Sequence, residues 1–133
     1  MGILGSSLGG LLSCYAAWTR AHVYACAGCM SSSFWWNSQD FNTSVLPPVS
    51  AASPAGSRAP PPVRLYLDSG DAGPDRDDLQ QTITVHAHLR ALGLTPGVRL
   101  FYYRQPGGRH SEKYWGERFH VPMQALYPAP AVT

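Results

Sequence analysis

Hydrophobic positions along the chain alternate between short apolar runs, which are typical of strands, and longer stretches with helical spacing. The short apolar runs predict strands at residues 1–4, 22–28, 63–68 and 98–103. The longer stretches predict helices at residues 8–18, 78–92 and 112–126. Because strands that alternate with helices usually form parallel sheets, this order predicts an α/β fold: a mostly parallel sheet with flanking helices.

A proline-rich segment at residues 46–62 separates the second predicted strand from the third. It contains six prolines among serine and alanine residues. Proline fixes φ and lacks a backbone N–H donor, so neither a helix nor a central strand persists in such a segment. We therefore predict a loop here, within a single domain that spans residues 1–133.

Composition limits the classes of function that need to be considered. The chain has 133 residues, of which 44% are hydrophobic, enough for one domain with a core. Its net charge is only +2 and the basic residues are scattered, so we expect no nucleic-acid partner. The longest apolar stretch, residues 8–18, is too short to span a bilayer and lacks a signal-peptide n-region, which favours a cytoplasmic location.

The three cysteines do not form a complete disulfide framework, since their number is odd. Cys26 and Cys29 form a C-x-x-C motif, but a structural zinc site would need a second pair of ligands at matching spacing. A redox motif would lie at the start of a helix, whereas these two residues lie in or beside a predicted strand. We therefore predict buried structural thiols and no metal or other cofactor.

A nucleophile elbow is the first candidate for chemistry. Residues 5–9 match G-x-S-x-G and lie between a short apolar strand and a predicted helix, the setting that this motif requires. Ser7 is therefore the candidate nucleophile, and the backbone N–H of Leu8 is a candidate oxyanion donor. The alternative interpretation is a glycine- and serine-rich loop that opens an ordinary buried helix.

His110 is the candidate general base. It lies in a glycine-rich loop after the last predicted strand, and active-site residues of open α/β sheets gather at the carboxyl ends of strands. A serine hydroxyl is a poor nucleophile without such a base, and imidazole can both accept and return the proton. Serine first and histidine last is also the chain order of the α/β-hydrolases. The alternative interpretation is a solvated loop histidine.

Three segments, residues 5–10, 65–70 and 107–112, together with Trp115, carry a resemblance to a known family. In this order they are similar to the carboxyl-terminal half of esterases of the enterochelin esterase and esterase D type. The resemblance implies an α/β-hydrolase fold that cleaves carboxylic esters through an acyl-serine. It also implies that Ser7 carries the acyl group and that His110 acts as general base and acid.

The acid of the implied catalytic triad lies in the loop after the third predicted strand, where several carboxylates are available. Asp71 is closest to the strand end, Asp77 lies where relatives often keep an aspartate, and Asp75 is a third candidate. Asp77 or Asp78 is also expected to cap the following helix. The sequence leaves these alternatives open.

The aromatic residues after the second predicted strand are candidates for substrate binding. Trp35 and Trp36, next to Phe34, lie where such hydrolases place acyl-pocket elements, so they could contact an apolar or aromatic group of a small-molecule ester. The alternative interpretation is that these large side chains only pack over the sheet.

The strand before the elbow is short, because only residues 1–4 precede it. The α/β-hydrolase fold has several strands before the nucleophile, and one of its loops supplies a second oxyanion donor. We therefore expect a partial fold that lacks the amino-terminal strands, either as a fragment or through a late start. Its open sheet edge would allow self-association. The functions considered are a serine esterase, a catalytically inactive fragment or interaction module, and an acyltransferase.

Overall fold

The computed structural model describes residues 1–49 and 59–130. One sheet contains four parallel strands in the order β1-β2-β3-β4: β1 Gly2–Ser6, β2 Cys26–Met30, β3 Arg64–Gly70 and β4 Leu100–Gln105. The α-helices are α1 Leu8–Thr19, α2 Trp36–Asp40, α3 Leu79–Ala91, α4 Glu112–Arg118 and α5 His120–Leu126, with a π-helical turn at Phe41–Val45 and a 3-10 turn at Arg76–Asp78. The prediction of an α/β fold with a mostly parallel sheet and flanking helices is confirmed.

Helices cover both faces of the sheet. On one face, α1 and α3 bury Cys14, Val85 and Leu89 against β2 and β3. On the other face, α5 buries Leu126 against Tyr66 of β3. All residues of β2 are buried, as is usual for a central strand of a parallel sheet that is covered on both faces.

Several predicted boundaries differ from those of the structure. The second strand was predicted from residue 22, but the N–H groups of Val23 and Tyr24 donate to the Arg20 carbonyl in a turn, and the strand starts at Cys26. The terminal helix is interrupted at Phe119, so that two short helices replace one. Residues 46–49 and 59–62 contain no helix or strand, as predicted, and residues 50–58 of the same loop lie outside the described residues.

A disulfide joins Cys14 of α1 to Cys29 of β2, so the prediction of buried free thiols at Cys26 and Cys29 is wrong for Cys29. Side chains of a strand alternate between faces, so Cys26 and Cys29 point to opposite sides of the sheet. Cys29 faces α1, where Cys14 is within reach, and Cys26 is the buried free thiol. The bond ties the helix after the elbow to the strand that pairs with β1.

Strands β1 and β4 form the two edges of the sheet. Self-association through the β1 edge stays a prediction. Among the described residues, no helix has both the length and the apolar character needed to cross a membrane.

Candidate active site

Ser7 lies in the turn between β1 and α1, in a conformation that few side chains adopt. Its φ is 56° and its ψ is −125°, and its N–H donates to the Met30 carbonyl of β2 at 3.0 Å. A Cβ atom at Gly5 would lie 2.6 Å from the Gly9 backbone, so only glycine fits where strand and helix meet. This geometry is that of a nucleophile elbow, which presents the serine hydroxyl above the carboxyl end of the sheet.

His110 lies in the loop after β4 and contacts two side chains, one at each ring nitrogen. Its Nε2 is 2.8 Å from Ser7 Oγ, and its Nδ1 is 2.7 Å from Asp77 Oδ1. The Trp115 ring lies edge-on to the imidazole, with ring centroids 5.0 Å apart. In the tautomer with Nδ1–H facing the carboxylate, Nε2 is free to accept the serine proton. The arrangement is therefore a Ser-His-Asp constellation.

The Asp77 carboxylate is fully buried behind His110. Its Oδ2 accepts hydrogen bonds from Ser31 Oγ and from the Gly70 N–H, both at 2.5 Å. Asp77 itself has a φ of 53°, within a left-handed turn that follows β3. Because three groups contact its two oxygens, the carboxylate is fixed in one orientation toward the imidazole.

The prediction that Asp77 or Asp78 caps the following helix is wrong at the level of the side chains. Helix α3 starts at Leu79, directly after Asp78, so the position was predicted well. However, Asp78 makes no capping hydrogen bond with its side chain, and the carboxylate of Asp77 is engaged with His110.

Asp71, the other leading candidate for the triad acid, has a different set of contacts. Its Oδ1 accepts a hydrogen bond from the Gly107 N–H at 2.7 Å, and its Oδ2 lies 3.3 Å from Arg104 Nε. Asp71 thus holds the start of the loop that carries His110. Asp75 is exposed on the wall of the cleft beside the site.

Two serines that follow β2 were not identified as site residues from the sequence. Ser33 Oγ lies 3.3 Å from Ser7 Oγ, and Ser31 donates to Asp77. Both are buried, and both lie at the carboxyl end of a parallel strand next to the elbow. That position could have identified them from the sequence, but the serine-rich run that contains them was interpreted as an ordinary polar segment.

A cleft of about 780 Å³ opens in front of the Ser7 hydroxyl. The two predicted binding residues differ in their placement. Trp35 is 56% exposed and forms part of the cleft wall, whereas Trp36 is 48% exposed and lies outside it. Beside Ser7, Asp77 and His110, the wall contains aromatic, apolar and charged residues, among them Leu8, Trp35, Asp75, Asp78, Arg109 and Tyr114.

The electrostatics of the cleft depend on Asp78 as well as on the constellation. Burial, reinforced by the charge of Asp77, raises the pKa of Asp78 to about 6.

Leu8 is the first residue of α1, and N–H groups in the first turn of a helix have no acceptor within that helix. In residues 1–49 and 59–130, no three His, Cys, Asp or Glu side chains are grouped as metal ligands would be.

Comparisons with known proteins concern the family and the fold. A family model described as "Putative esterase" matches residues 1–126. The uncharacterized protein YbbA of Bacillus subtilis (strain 168) is 26% identical over 132 residues, which are 95% of this chain and 48% of YbbA. The chain therefore spans about half the length of this relative.

Two solved structures show the same fold. The enterobactin esterase FES from Shigella flexneri, crystallised with 2,3-di-hydroxy-N-benzoyl-glycine, is 21% identical with a TM-score of 0.65, over 94% of this chain and 32% of FES. A ferulic acid esterase is 15% identical with a TM-score of 0.68, over 90% of this chain and 48% of that protein. At these identities the likeness concerns the fold alone, and it confirms the prediction of an α/β-hydrolase fold.

Proposed function

The chain belongs to the esterase family whose model matches residues 1–126, and from that premise we propose that it hydrolyses carboxylic esters through an acyl-serine on Ser7. One observation carries the proposal: Ser7 Oγ lies 2.8 Å from His110 Nε2, while His110 Nδ1 lies 2.7 Å from Asp77. A serine in hydrogen-bond contact with a base that a third group orients is the arrangement needed for nucleophilic catalysis.

In the acylation step, Ser7 Oγ attacks the ester carbonyl while His110 Nε2 takes the hydroxyl proton. The bond between Oγ and the acyl carbon forms, and the bond to the leaving alcohol breaks. The alcohol leaves with the proton that His110 returns. The buried Asp77 carboxylate stabilises the imidazolium in between and keeps its Nδ1–H pointing inward.

The Leu8 backbone N–H is placed to stabilise the negative charge that develops on the carbonyl oxygen. It is in the first turn of α1, directly after the nucleophile, where the positive end of the helix dipole adds to the effect. In the deacylation step, the oxygen of a water molecule forms a bond to the acyl carbon while His110 takes the water proton. The bond between the acyl carbon and Oγ then breaks, His110 returns the proton to Oγ, and the product is a free carboxylic acid.

We propose an aromatic acyl group as the preferred substrate class. Trp35 and Tyr114 lie on the wall of the cleft, where aromatic faces can pack against a planar ring. A ferulic acid esterase and an esterase crystallised with an N-benzoyl compound share the fold, and their names point to the same class.

Labelling with a fluorophosphonate tests the proposal, with intact mass as the readout. Attack by Ser7 Oγ forms a bond to phosphorus and expels fluoride, so a single adduct is expected on the wild type and none on Ser7→Ala. Ser6→Ala is the matched control, since Ser6 is the neighbouring serine at the end of β1 and its substitution should leave labelling intact. An equal adduct on the wild type and Ser7→Ala would refute the assignment of Ser7.

A further inference from the structure

We propose that Arg118 is a positioning residue for the catalytic constellation: its buried guanidinium balances the charge of Asp68 and, through Ser31, holds the Asp77 carboxylate against His110. Arg118 acts through Asp77 and does not line the cleft. The role rests on the proposed function, because it concerns the acid of the same site.

The guanidinium of Arg118 lies in the interior of the protein, with only 2% of the side chain exposed. Its Nη2 donates to Ser31 Oγ at 2.5 Å and to Asp68 Oδ1 at 2.8 Å, and it lies 3.6 Å from Asp77 Oδ2. Its Nη1 donates to Gln105 Oε1 at 2.7 Å. One cation therefore contacts two buried carboxylates and the end of β4 at once.

Ser31 connects the two carboxylates. Its N–H donates to Asp68 Oδ1 at 2.9 Å, and its hydroxyl donates to Asp77 Oδ2 while it accepts from Arg118. Because Arg118 only donates and the Asp77 carboxylate only accepts, Arg118 takes a lone pair of the hydroxyl and the single hydroxyl proton is directed at Asp77. The guanidinium thus sets the direction of a hydrogen bond that orients the catalytic acid.

The balance of charge gives the second part of the argument. Asp68 and Asp77 both have fully buried side chains and share Ser31 as a neighbour. Two carboxylates this close together repel each other unless a cation lies between them. With Arg118 present the cluster carries one net negative charge, which the imidazolium of His110 can neutralise during catalysis.

The behaviour of the neighbouring groups is consistent with a strongly paired cation. Burial alone would lower the pKa of Arg118, but its hydrogen bond and charge interaction with Asp68 raise it above the ordinary value. Burial and the nearby Asp68 charge also raise the pKa of Tyr66, whose hydroxyl donates to Asp68 Oδ2 at 2.8 Å. Asp68 is therefore held on both sides as an acceptor.

A structural role alone explains this arrangement poorly. Buried ion pairs add little net stability compared with apolar or neutral groups of similar size, because both charges lose their hydration. Removal of Arg118 alone would leave two buried carboxylates without their cation and destabilise the fold, so the double variant that also neutralises Asp68 separates the effect on the orientation of Asp77 from the effect on folding. Arg118 ends the same helix, α4, that packs Trp115 against His110, so one helix supports both members of the pair.

The test is proton NMR of the full chain, with the downfield Nδ1–H signal of His110 as the readout. This signal reports the bond to Asp77 directly and does not require turnover. It should be present in the wild type, weakened or moved upfield in Arg118→Met, and restored in Arg118→Met/Asp68→Asn, where the unbalanced charge is gone. Arg90→Met, which removes an exposed cation from α3, is the matched control and should leave the signal unchanged.

Fluorophosphonate labelling gives a second readout. The rate should fall at least tenfold in Arg118→Met and return to within about fivefold of the wild type in Arg118→Met/Asp68→Asn. An unchanged signal and rate in Arg118→Met would overturn the proposal, as would a folded double variant that lacks the signal. If Arg118→Met does not fold, the double variant alone tests the proposal: it should show the Nδ1–H signal and a labelling rate within about fivefold of the wild type. A wild type that shows the signal but forms no adduct contradicts the proposed function and not the role of Arg118.

Discussion

The hydroxyl of Ser7 lies 2.8 Å from Nε2 of His110, although 103 residues separate the two in the chain. Ser7 follows β1 and His110 follows β4, the two edge strands of the sheet, which are about 14 Å apart at a spacing of about 4.8 Å per strand. The loop after β4 therefore has to cross back over the ends of the central strands to bring the imidazole to the serine.

The end of β3 supports this crossing. The Gly108 carbonyl accepts hydrogen bonds from the N–H groups of Asp71 and Ala72, at 3.1 and 2.9 Å. A Cβ atom at Gly70 would overlap the same carbonyl oxygen, so the close approach requires glycine there. The loop that carries His110 is thus fastened to the strand whose following turn carries Asp77.

The first prediction separates the two aspartates. Asp77→Asn should lower kcat by on the order of 10⁴-fold, because an amide cannot stabilise the imidazolium and favours the wrong tautomer. Asp71→Asn is the matched control: its amide oxygen can still accept from Gly107, so kcat should stay within about threefold. Steady-state kinetics on a chromogenic ester measure both. A larger loss in Asp71→Asn than in Asp77→Asn would contradict the assignment of the acid.

The second prediction concerns the aromatic wall. Trp35→Ala should raise KM for an aromatic-acyl ester by about tenfold, corresponding to about 1.4 kcal/mol of lost contact, within the range for aromatic packing. Trp36→Ala, equally close in sequence but outside the cleft, should change KM little. Acetyl esters with the same leaving group should be almost insensitive to both changes. Equal effects of the two substitutions would argue against Trp35 as a binding residue.

Much of the fold and part of the site were predictable from local patterns. The elbow is a local feature, since Gly5, Ser7 and Gly9 lie within one turn between a strand and a helix. The order of strands and helices likewise predicted the parallel sheet, whose carboxyl edge bears Ser7 and His110.

The remaining features depend on contacts between distant segments. The contact of Asp77 with His110 depends on a left-handed turn that the loop sequence does not specify, and Asp71 was an equal candidate. The pairing of Cys14 with Cys29 depends on how α1 lies across the sheet. Arg118 lies in a helix whose sequence alone gives no sign that this cation is buried.

The third prediction concerns pH and stability. Burial raises the pKa of Asp78 from 3.8 to about 6, so the folded state binds this proton more tightly than the unfolded chain does. Stability should therefore fall as the pH rises from about 4 to about 6, and the penalty should be complete above that range. Asp78→Asn should remove the penalty and stabilise the protein at pH 7 by about 1 kcal/mol, a value reduced for partial exposure to solvent.

Thermal melts at several pH values measure this effect. Asp78→Asn should melt higher than the wild type at pH 7 and at the same temperature near pH 3.5. Asp75→Asn, which removes an exposed carboxylate from the same cleft, should show no such pH-dependent gain. A gain for Asp78→Asn that is as large in acid as at neutral pH would show that ionisation of Asp78 is not its cause.

The fourth prediction concerns the disulfide behind the elbow. The bond between Cys14 and Cys29 closes a loop with a sequence separation of 15, and a loop of that size stabilises the folded state by about 3 kcal/mol through the entropy of the unfolded chain. Because Cys29 pairs in register with Gly5, the bond also fixes the helix that follows Ser7 to the sheet beside it.

Reduction should therefore lower the melting temperature of the wild type and slow fluorophosphonate labelling of Ser7. Cys26→Ala is the matched control: it removes the free thiol but keeps the bond, so its melting temperature should respond to reductant as that of the wild type does.

Cys14→Ala should melt at one temperature with or without reductant. Since the bond restrains the elbow as well as the unfolded chain, labelling of Cys14→Ala should be slow even well below its melting temperature. Labelling at the wild-type rate there would limit the role of the bond to stability.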